Sequence, residues 1–267
     1  MGAHPLVLLD LDGTLLTSAR TIRDGNVRAL RRIMDAGVHV AFSTGRAPRS
    51  AQPYAERVQP NAPLIHFNGA VVRDWRTRKL VFARALSAQT ALAALDAAEG
   101  LALHANVYVD DDIWIRERSA TSRVSEEKDG VPHTVIGDVA ARLEGGAAQP
   151  TKVMLIAPPA RIPALTAAVS RAVGDDAALV NSEPEYLEVL PRGCSKRTAA
   201  EALCAHLGIA LADALAFGDN KNDLELLESC HGVAMANSHP DVLARVPTHI
   251  GDNDSDAIAR FLDDAFP

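Results

Sequence analysis

Short apolar runs that end in polar, turn-forming residues punctuate both ends of the chain. Leu6–Leu9 runs into Asp10-Leu11-Asp12-Gly13, too short for a helix and consistent with a buried parallel strand that opens into a turn. Asn26–Asp35 sets Val27, Leu30, Ile33 and Met34 at helical spacing and stops at Gly37, a helix ending in a residue suited to the C-terminal turn. Val38–Phe42 reads as a second strand, followed by Ser43-Thr44-Gly45-Arg46, a helix reaching Val58, and a third strand over Leu64–Phe67 that ends at Asn68-Gly69. Strand and helix alternating in this way predict an α/β fold, a doubly wound parallel sheet covered on both faces.

The middle of the chain has a different texture. Ala70–Arg73 and Lys79–Ala83 suit a hairpin, Ser87–Glu99 an amphipathic helix, and Pro163–Val173 a further helix. Short strands are expected near Leu101–Val107, Asp112–Arg116, Lys152–Ile156 and Glu185–Leu190. After Pro191-Arg192-Gly193 the first texture returns: a helix over Ser195–Leu207, a strand over Ala214–Phe217, a helix over Leu224–Leu227 and a strand over Val233–Ala236. The pattern predicts a Rossmann-like core made from residues 1–83 and 191–267, with residues 84–190 inserted as an α+β cap domain.

Composition narrows the function. Of 267 residues, aromatics are 4%, too few for recognition by stacking on a row of bases. The formal charge of −7 argues against an extended basic surface for nucleic acid or an anionic membrane. Cys194, Cys204 and Cys230 show no C-x-x-C spacing, so neither a disulfide framework nor a zinc site follows, and a reducing cytoplasm is the expected compartment. The apolar run from Leu6 to Leu16 is interrupted by Asp10 and Asp12, which excludes it as a membrane span or a signal peptide.

Ligands of open parallel sheets bind beyond the carboxyl ends of the strands, and polar groups collect there. Asp10 and Asp12 follow the first strand, Thr44 the second, Asn68 the third and Asp219 a later one; Lys196 opens a helix, and Asn222 and Asp223 begin another. Asp10 and Asp219 in one pocket would repel each other, and a hard divalent cation such as Mg²⁺, which prefers oxygen ligands, relieves that repulsion. Thr44, Lys196, Asn222 and the backbone N–H groups around Leu11–Gly13 suit the oxygens of a phosphate. Asp10 then serves as nucleophile, while Asp12, set just where the strand opens, protonates the leaving oxygen and later deprotonates water.

These residues resemble one family. Asp10-Leu11-Asp12-Gly13-Thr14 is similar to the D-x-D-G-T signature of the haloacid dehalogenase superfamily. Ser43-Thr44-Gly45-Arg46 is similar to its second motif, Lys196 to its third, and Gly218-Asp219-Asn220-Lys221-Asn222-Asp223 to its fourth. Asn68-Gly69-Ala70 and Val233-Ala234-Met235-Ala236-Asn237 resemble features of its Cof-type branch, which carries a class IIB cap. The resemblance implies Mg²⁺ held by Asp10, the carbonyl of Asp12 and Asp219 with Asp223 in support, and phosphate bound at Leu11, Thr44, Gly45, Lys196 and Asn222. It departs at Arg197, where many relatives have Gly.

Some residues fit two roles. Asn68 before Gly69 is also what a tight turn asks for, and Arg46 suits either substrate or an ion pair within the core; both are substrate-side candidates. Asp110-Asp111-Asp112 reads as a solvated hairpin turn rather than a second metal site. Tyr108, Arg116, Glu183 and Glu185 are candidates for reading the organic part of a substrate. The expected activity is hydrolysis of a small phosphorylated metabolite, a sugar phosphate or pyridoxal phosphate, by a monomer or small homo-oligomer. Phosphotransfer between positions of a sugar and silent sensing of a phosphorylated ligand are the alternatives.

Overall fold

The computed structural model describes residues 4–146 and 148–267. They form two compact units, one comprising residues up to Gly45, Ala51–Ala83 and Ser195–Pro267, the other Arg46–Ser50 with Arg84–Cys194. The chain begins with β1 (Leu6–Leu9), every residue of which is buried, as expected for a strand covered on both faces. Next come α1 (Asp24–Asp35), β2 (His39–Phe42), α2 (Pro48–Val58) and β3 (Leu64–His66). A single 3-10 turn over Phe67–Gly69 leads into the antiparallel hairpin of β4 (Val71–Arg73) and β5 (Leu80–Ala83). Helix α1 buries Val27, Ala29, Leu30 and Ile33 along one face, which is the spacing that a 3.6-residue period requires.

The second unit starts with α3 (Ala88–Ala98), capped by Ser87 through the N–H of Thr90. It continues with β6 (His104–Val109), β7 (Asp112–Ile115), α4 (Ala120–Asp129), β8 (Thr134–Val135), α5 (Val139–Glu144), β9 (Pro150–Ile156), α6 (Ile162–Val173), β10 (Ala177–Val180) and β11 (Tyr186–Pro191). Its sheet has the order β10-β11-β9-β6-β7-β8. Alternate residues Val107, Val109, Val153, Leu155, Leu187 and Val189 pack with α3 and α6 into one apolar cluster, as a sheet with one buried face demands. Asp110 and Asp111 form the β6–β7 turn, with Asp110 at φ 51°.

The first unit resumes with α7 (Lys196–Leu207), β12 (Leu215–Gly218), α8 (Lys221–Leu227), β13 (His231–Ala234), α9 (Pro240–Arg245), β14 (Thr248–His249) and α10 (Ala257–Ala265). Its parallel sheet has the order β14-β13-β12-β1-β2, and β3 joins beyond β2 through a parallel bridge between Ser43 and Ile65. From β1 the chain works outward through β2, whereas β12 pairs on β1's other side and the chain then proceeds through β13 and β14. The winding therefore reverses between β1 and β12, the place where sheets of this kind open a crevice at their carboxyl ends.

Several elements differ from the sequence expectation. The strand expected near Leu101 begins at His104, because Leu101 and Ala102 donate to Ala98 and prolong the end of α3. Helix α8 starts at Lys221 rather than Leu224 because Asn220 caps it. Helices expected without bounds between the strands of the middle segment include α4 and α5, whereas α9 and α10 were not anticipated; α10 nevertheless carries Ile258 and Leu262 at helical spacing, both buried.

Gly69 ties the 3-10 turn to the start of α7: at φ 104°, a Cβ on it would lie 2.1 Å from the carbonyl oxygen of Ser195. Substituting Gly69→Ala combines strained backbone with a backbone clash and is expected to cost about 2–3 kcal/mol. Urea unfolding at an unchanged m value measures it; a midpoint equal to wild type would refute the packing described.

Candidate active site

Asp10 is the first residue after β1, and its N–H donates to the carbonyl of Phe217 in β12 at 3.0 Å. The sheet thus places its side chain at the reversal of winding. Lys196 is the first residue of α7, behind a capping box in which Ser195 and Thr198 bond each other's backbone N–H. That cap fixes where the helix begins and so where the lysine projects. The ammonium is 1% exposed and donates to Asp10 Oδ1 at 2.6 Å and to Asp223 Oδ1 at 2.5 Å.

Asp223 is fully engaged. Its Oδ1 takes Lys196 and its Oδ2 accepts the N–H groups of Asp219 at 3.1 Å and Asn220 at 3.0 Å. It therefore fixes the turn carrying Asp219 as well as the lysine. Asp219 Oδ1 accepts the hydroxyl of Thr14 at 2.7 Å, a buried residue that the sequence reading quoted within a motif without giving it a role. Gly13 lies between: at φ 80°, a Cβ there would come within 2.4 Å of Asp219 Oδ2. The turn after β1 and the carboxylate of Asp219 are in contact, and only glycine allows it. Asp12 is exposed at the same turn, whereas Leu11 is wholly buried and its carbonyl accepts the N–H of Leu16 at 2.8 Å.

The electrostatics follow from three carboxylates sharing one ammonium in a buried site. Burial pushes the Asp10 pKa well above its ordinary value; Lys196 offsets part of this, and Asp223, Asp219 and Asp12 add repulsion. Asp219 is raised to about 7, by burial first and then by Asp223, with the Thr14 hydroxyl pulling the other way. Burial opposes a charge on Lys196, but Asp10 and Asp223 outweigh it and raise its pKa. The lysine is thus a cation, and the cluster has an excess of negative charge that binds a proton when nothing else neutralises it.

Thr44, at the end of β2, donates its N–H to Ile65 at 3.0 Å and accepts the N–H of Asn68 at 3.1 Å through its carbonyl. Asn68 is buried in the left-handed region at φ 52° and ψ 29°, a conformation asparagine tolerates better than most residues. Its Oδ1 accepts from Asn222 Nδ2 at 2.9 Å and stands 3.0 Å from where a Cβ on Gly45 would be. Asn222 Oδ1 is buried with no hydrogen-bond partner, an uncommon state that an incoming donor or a turn of the amide would relieve. Thr44, Gly45, Asn68 and Asn222 are thus joined by contacts, as are Asp10, Lys196, Asp219 and Asp223. Arg46 donates to Ser50 Oγ at 2.9 Å.

Within the second unit, Glu183 and Glu185 both pair with Lys128, at 2.5 and 2.7 Å. Tyr108 is buried with its hydroxyl 3.4 Å from Asp129 Oδ2, and Arg116 is exposed beyond β7. The sequence reading missed Lys152 and Glu188, each 3% exposed and paired at 3.3 Å, with the ammonium 4.5 Å above the Tyr108 ring. Lys152 and Glu188 alternate along their strands with core-facing Val153, Val189 and Leu187; a charge at that period was the signal available. Cys194 is no nucleophile as it stands, since burial pushes its thiol up to about 11 although Arg84 opposes this.

Oxygens of Asp10, Asp219 and Asp223 lie within 4.8 Å of one another. An all-oxygen, net negative donor set fits Mg²⁺. Asp10 and Asp219 would hold it, since the oxygens of Asp223 are already committed to Lys196 and to backbone N–H groups.

The reversal of winding, with an aspartate at its mouth and a lysine clamped to it, defines a doubly wound α/β protein with a buried charged cluster at the carboxyl ends of its strands. Residues 7–262 match the model of the haloacid dehalogenase-like hydrolase family, and the chain belongs to that family, to its Cof-type branch. It is 32% identical over 256 residues to the HMP-PP phosphatase of Cronobacter sakazakii, covering 95% of this chain and 92% of that one. It is 28% identical over 272 residues to the 5-amino-6-(5-phospho-D-ribitylamino)uracil phosphatase of Bacillus subtilis, covering 98% and 97%. A haloacid dehalogenase-like hydrolase from Bacteroides thetaiotaomicron superposes with a TM-score of 0.89 at 21% identity, covering 98% of this chain and all (100%) of the other. The protein is an enzyme, a hydrolase whose curated relatives are phosphatases. No helix among the described residues is long and apolar enough to cross a membrane.

A raised carboxylate pKa means that the folded state holds its proton more tightly than the unfolded chain. Its contribution to stability is therefore lost as pH rises from 3.8 through about 7. Asp219→Asn removes that penalty. In EDTA at pH 8 the variant should melt several degrees above wild type, with a smaller gap at pH 5, and Mg²⁺ should raise the melting temperature of wild type only. A variant less stable than wild type at pH 8 in EDTA would contradict the electrostatic account.

Proposed function

We propose that the protein is a Mg²⁺-dependent phosphomonoester hydrolase that transfers the phosphoryl group of a small phosphorylated metabolite to Asp10 and then to water. The observation that carries this reading is the clamp of Lys196 on Asp10 Oδ1 at 2.6 Å, beside Asp219 at the mouth of the sheet. A nucleophilic carboxylate must meet a dianionic phosphate, and without positive charge the two repel. Lys196 supplies one charge from the protein; bound Mg²⁺ would supply the rest as a Lewis acid.

In the first half-reaction an oxygen of Asp10 bonds to phosphorus while the bond from phosphorus to the ester oxygen breaks. Asp12 gives its proton to that departing oxygen, releasing an alcohol. In the second half-reaction Asp12, now a carboxylate, takes a proton from water as the water oxygen bonds to phosphorus. The bond to Asp10 breaks, and inorganic phosphate leaves. The exposure of Asp12, against the burial of Asp10, suits this division: the nucleophile sits fixed in the protein, and the proton carrier can meet leaving group and water in turn. Thr44, Gly45, Lys196, Asn222 and the backbone near Leu11 hold the other phosphate oxygens, with Asn222 turning its amide to offer Nδ2. Arg46 and Asn68 are the candidates for contact with the substrate. The names of the relatives support a phosphorylated metabolite as substrate.

The test is release of inorganic phosphate from glucose 6-phosphate, ribose 5-phosphate, pyridoxal phosphate and p-nitrophenyl phosphate, with Mg²⁺ or with EDTA. Release should require Mg²⁺, vanish in Asp10→Asn, and fall by about 10²–10⁴-fold in Asp12→Ala on the alkyl phosphates. Phosphate that stays on a sugar would mean a mutase; binding without turnover would mean a sensor.

A further inference from the structure

The loop that follows β13 makes no part of the carboxylate cluster, yet it holds both loops that do. Met235 donates its N–H to the carbonyl of Gly218 at 3.3 Å, and His239 donates its N–H to the carbonyl of Asp219 at 2.8 Å. Between them Asn237 reaches the other loop, donating Nδ2 to the carbonyl of Gly13 at 2.8 Å. Its Oδ1 accepts the N–H of Asn253 at 3.0 Å, and Asn253 Nδ2 donates to the carbonyl of Leu16 at 2.8 Å. The orientation of Asn237 is unambiguous: a carbonyl faces one end of its amide and an N–H the other.

The relay grips the turn that carries Asp12 at two points. Gly13 is the next residue after Asp12, and Leu16 closes the turn through a backbone bridge to Asp12. The Thr14 hydroxyl on Asp219 holds the same turn, and the contact of Asn237 falls on the residue next to Asp12. Like Asp12, Asn237 is exposed, and each end of its amide is engaged by a partner distant in sequence, 224 and 16 residues away.

We infer that Asn237, braced by Asn253, is a positioning residue for Asp12, setting the carboxyl that protonates the leaving oxygen. This rests on the role given to Asp12 above. Displacing a proton donor by a fraction of an ångström weakens the step that needs the proton and spares the rest. Losses should therefore depend on the leaving group. An alkoxide cannot depart without a proton, whereas nitrophenolate can.

The experiment compares kcat/KM of wild type and Asn237→Asp, which keeps the acceptor toward Asn253 and replaces the donor toward Gly13 by a carboxylate oxygen. The substrates are the best alkyl phosphate of the panel above and p-nitrophenyl phosphate, both with saturating Mg²⁺. The expected result is a loss of about tenfold or more on the alkyl phosphate and at most about twofold on p-nitrophenyl phosphate. Equal losses on both, or none on either, overturn the inference. Should Asn237→Asp fail to fold, Asn253→Ala breaks the grip at Leu16, farther from Asp12, and must show the same dependence. A wild type that hydrolyses neither substrate overturns the proposed function instead, a result distinct from an active wild type with a flat variant pattern.

Discussion

The carboxylate cluster of the candidate active site depends on one buried ammonium holding two of its members. Lys196 joins Asp10 at the end of β1 to Asp223 in the first turn of α8, so three elements distant in sequence are pinned at one point. Burying these charges is expensive, and the attraction between them offsets the cost only because the geometry is close and the remaining oxygens are satisfied. Removing the lysine would leave two buried anions facing each other, a change of the kind that costs about 3–5 kcal/mol. The surplus negative charge that remains makes the same cluster a fitting place for a divalent cation.

The parallel sheet is what makes that meeting possible. Because the winding reverses between β1 and β12, the two strands end side by side with no helix between them, and the turns after each stand over the same crevice. Contact there is close enough that Gly13 lies against Asp219 and Gly69 against the first residues around α7. The site is thus a place where local preference is sacrificed for proximity: positive φ at Asn68, three acids together, a lysine without water. Such departures from the usual rules concentrate where proteins do chemistry.

The second unit solves a different problem with similar means. Its sheet turns alternate valines and leucines toward α3 and α6, and on the intervening positions of β6, β9 and β11 it carries Asn106, Tyr108, Lys152 and Glu188. Lys152 and Glu188 neutralise each other, and Ser182 donates to the second oxygen of Glu188 at 2.8 Å. A core of this size could be built from apolar residues alone. A buried pair of this kind adds little stability over apolar residues of similar volume.

What the sequence determined by itself were the features that local physics encodes. Short apolar runs ending in Asp or Asn-Gly marked strands and their mouths; Asp10 and Asp12 stood out because carboxylates inside an apolar run have no cheap structural use, and Lys196 and Asp219, which could each have served a helix start, stood out only by their order with the other motifs. Helices with weak apolar faces, such as α4, and the caps that fixed the start of α8 were not legible, since their stability comes from packing and from single side-chain bonds. Only the tertiary structure decided which carboxylate each group would serve. It made Asp223 the anchor of the Asp219 turn, gave Thr14 to Asp219, and set Asn237 and Asn253 on the loop of Asp12. These partners lie up to 237 residues apart, and no local pattern of residues specifies a pairing that forms only when distant strands close into one sheet.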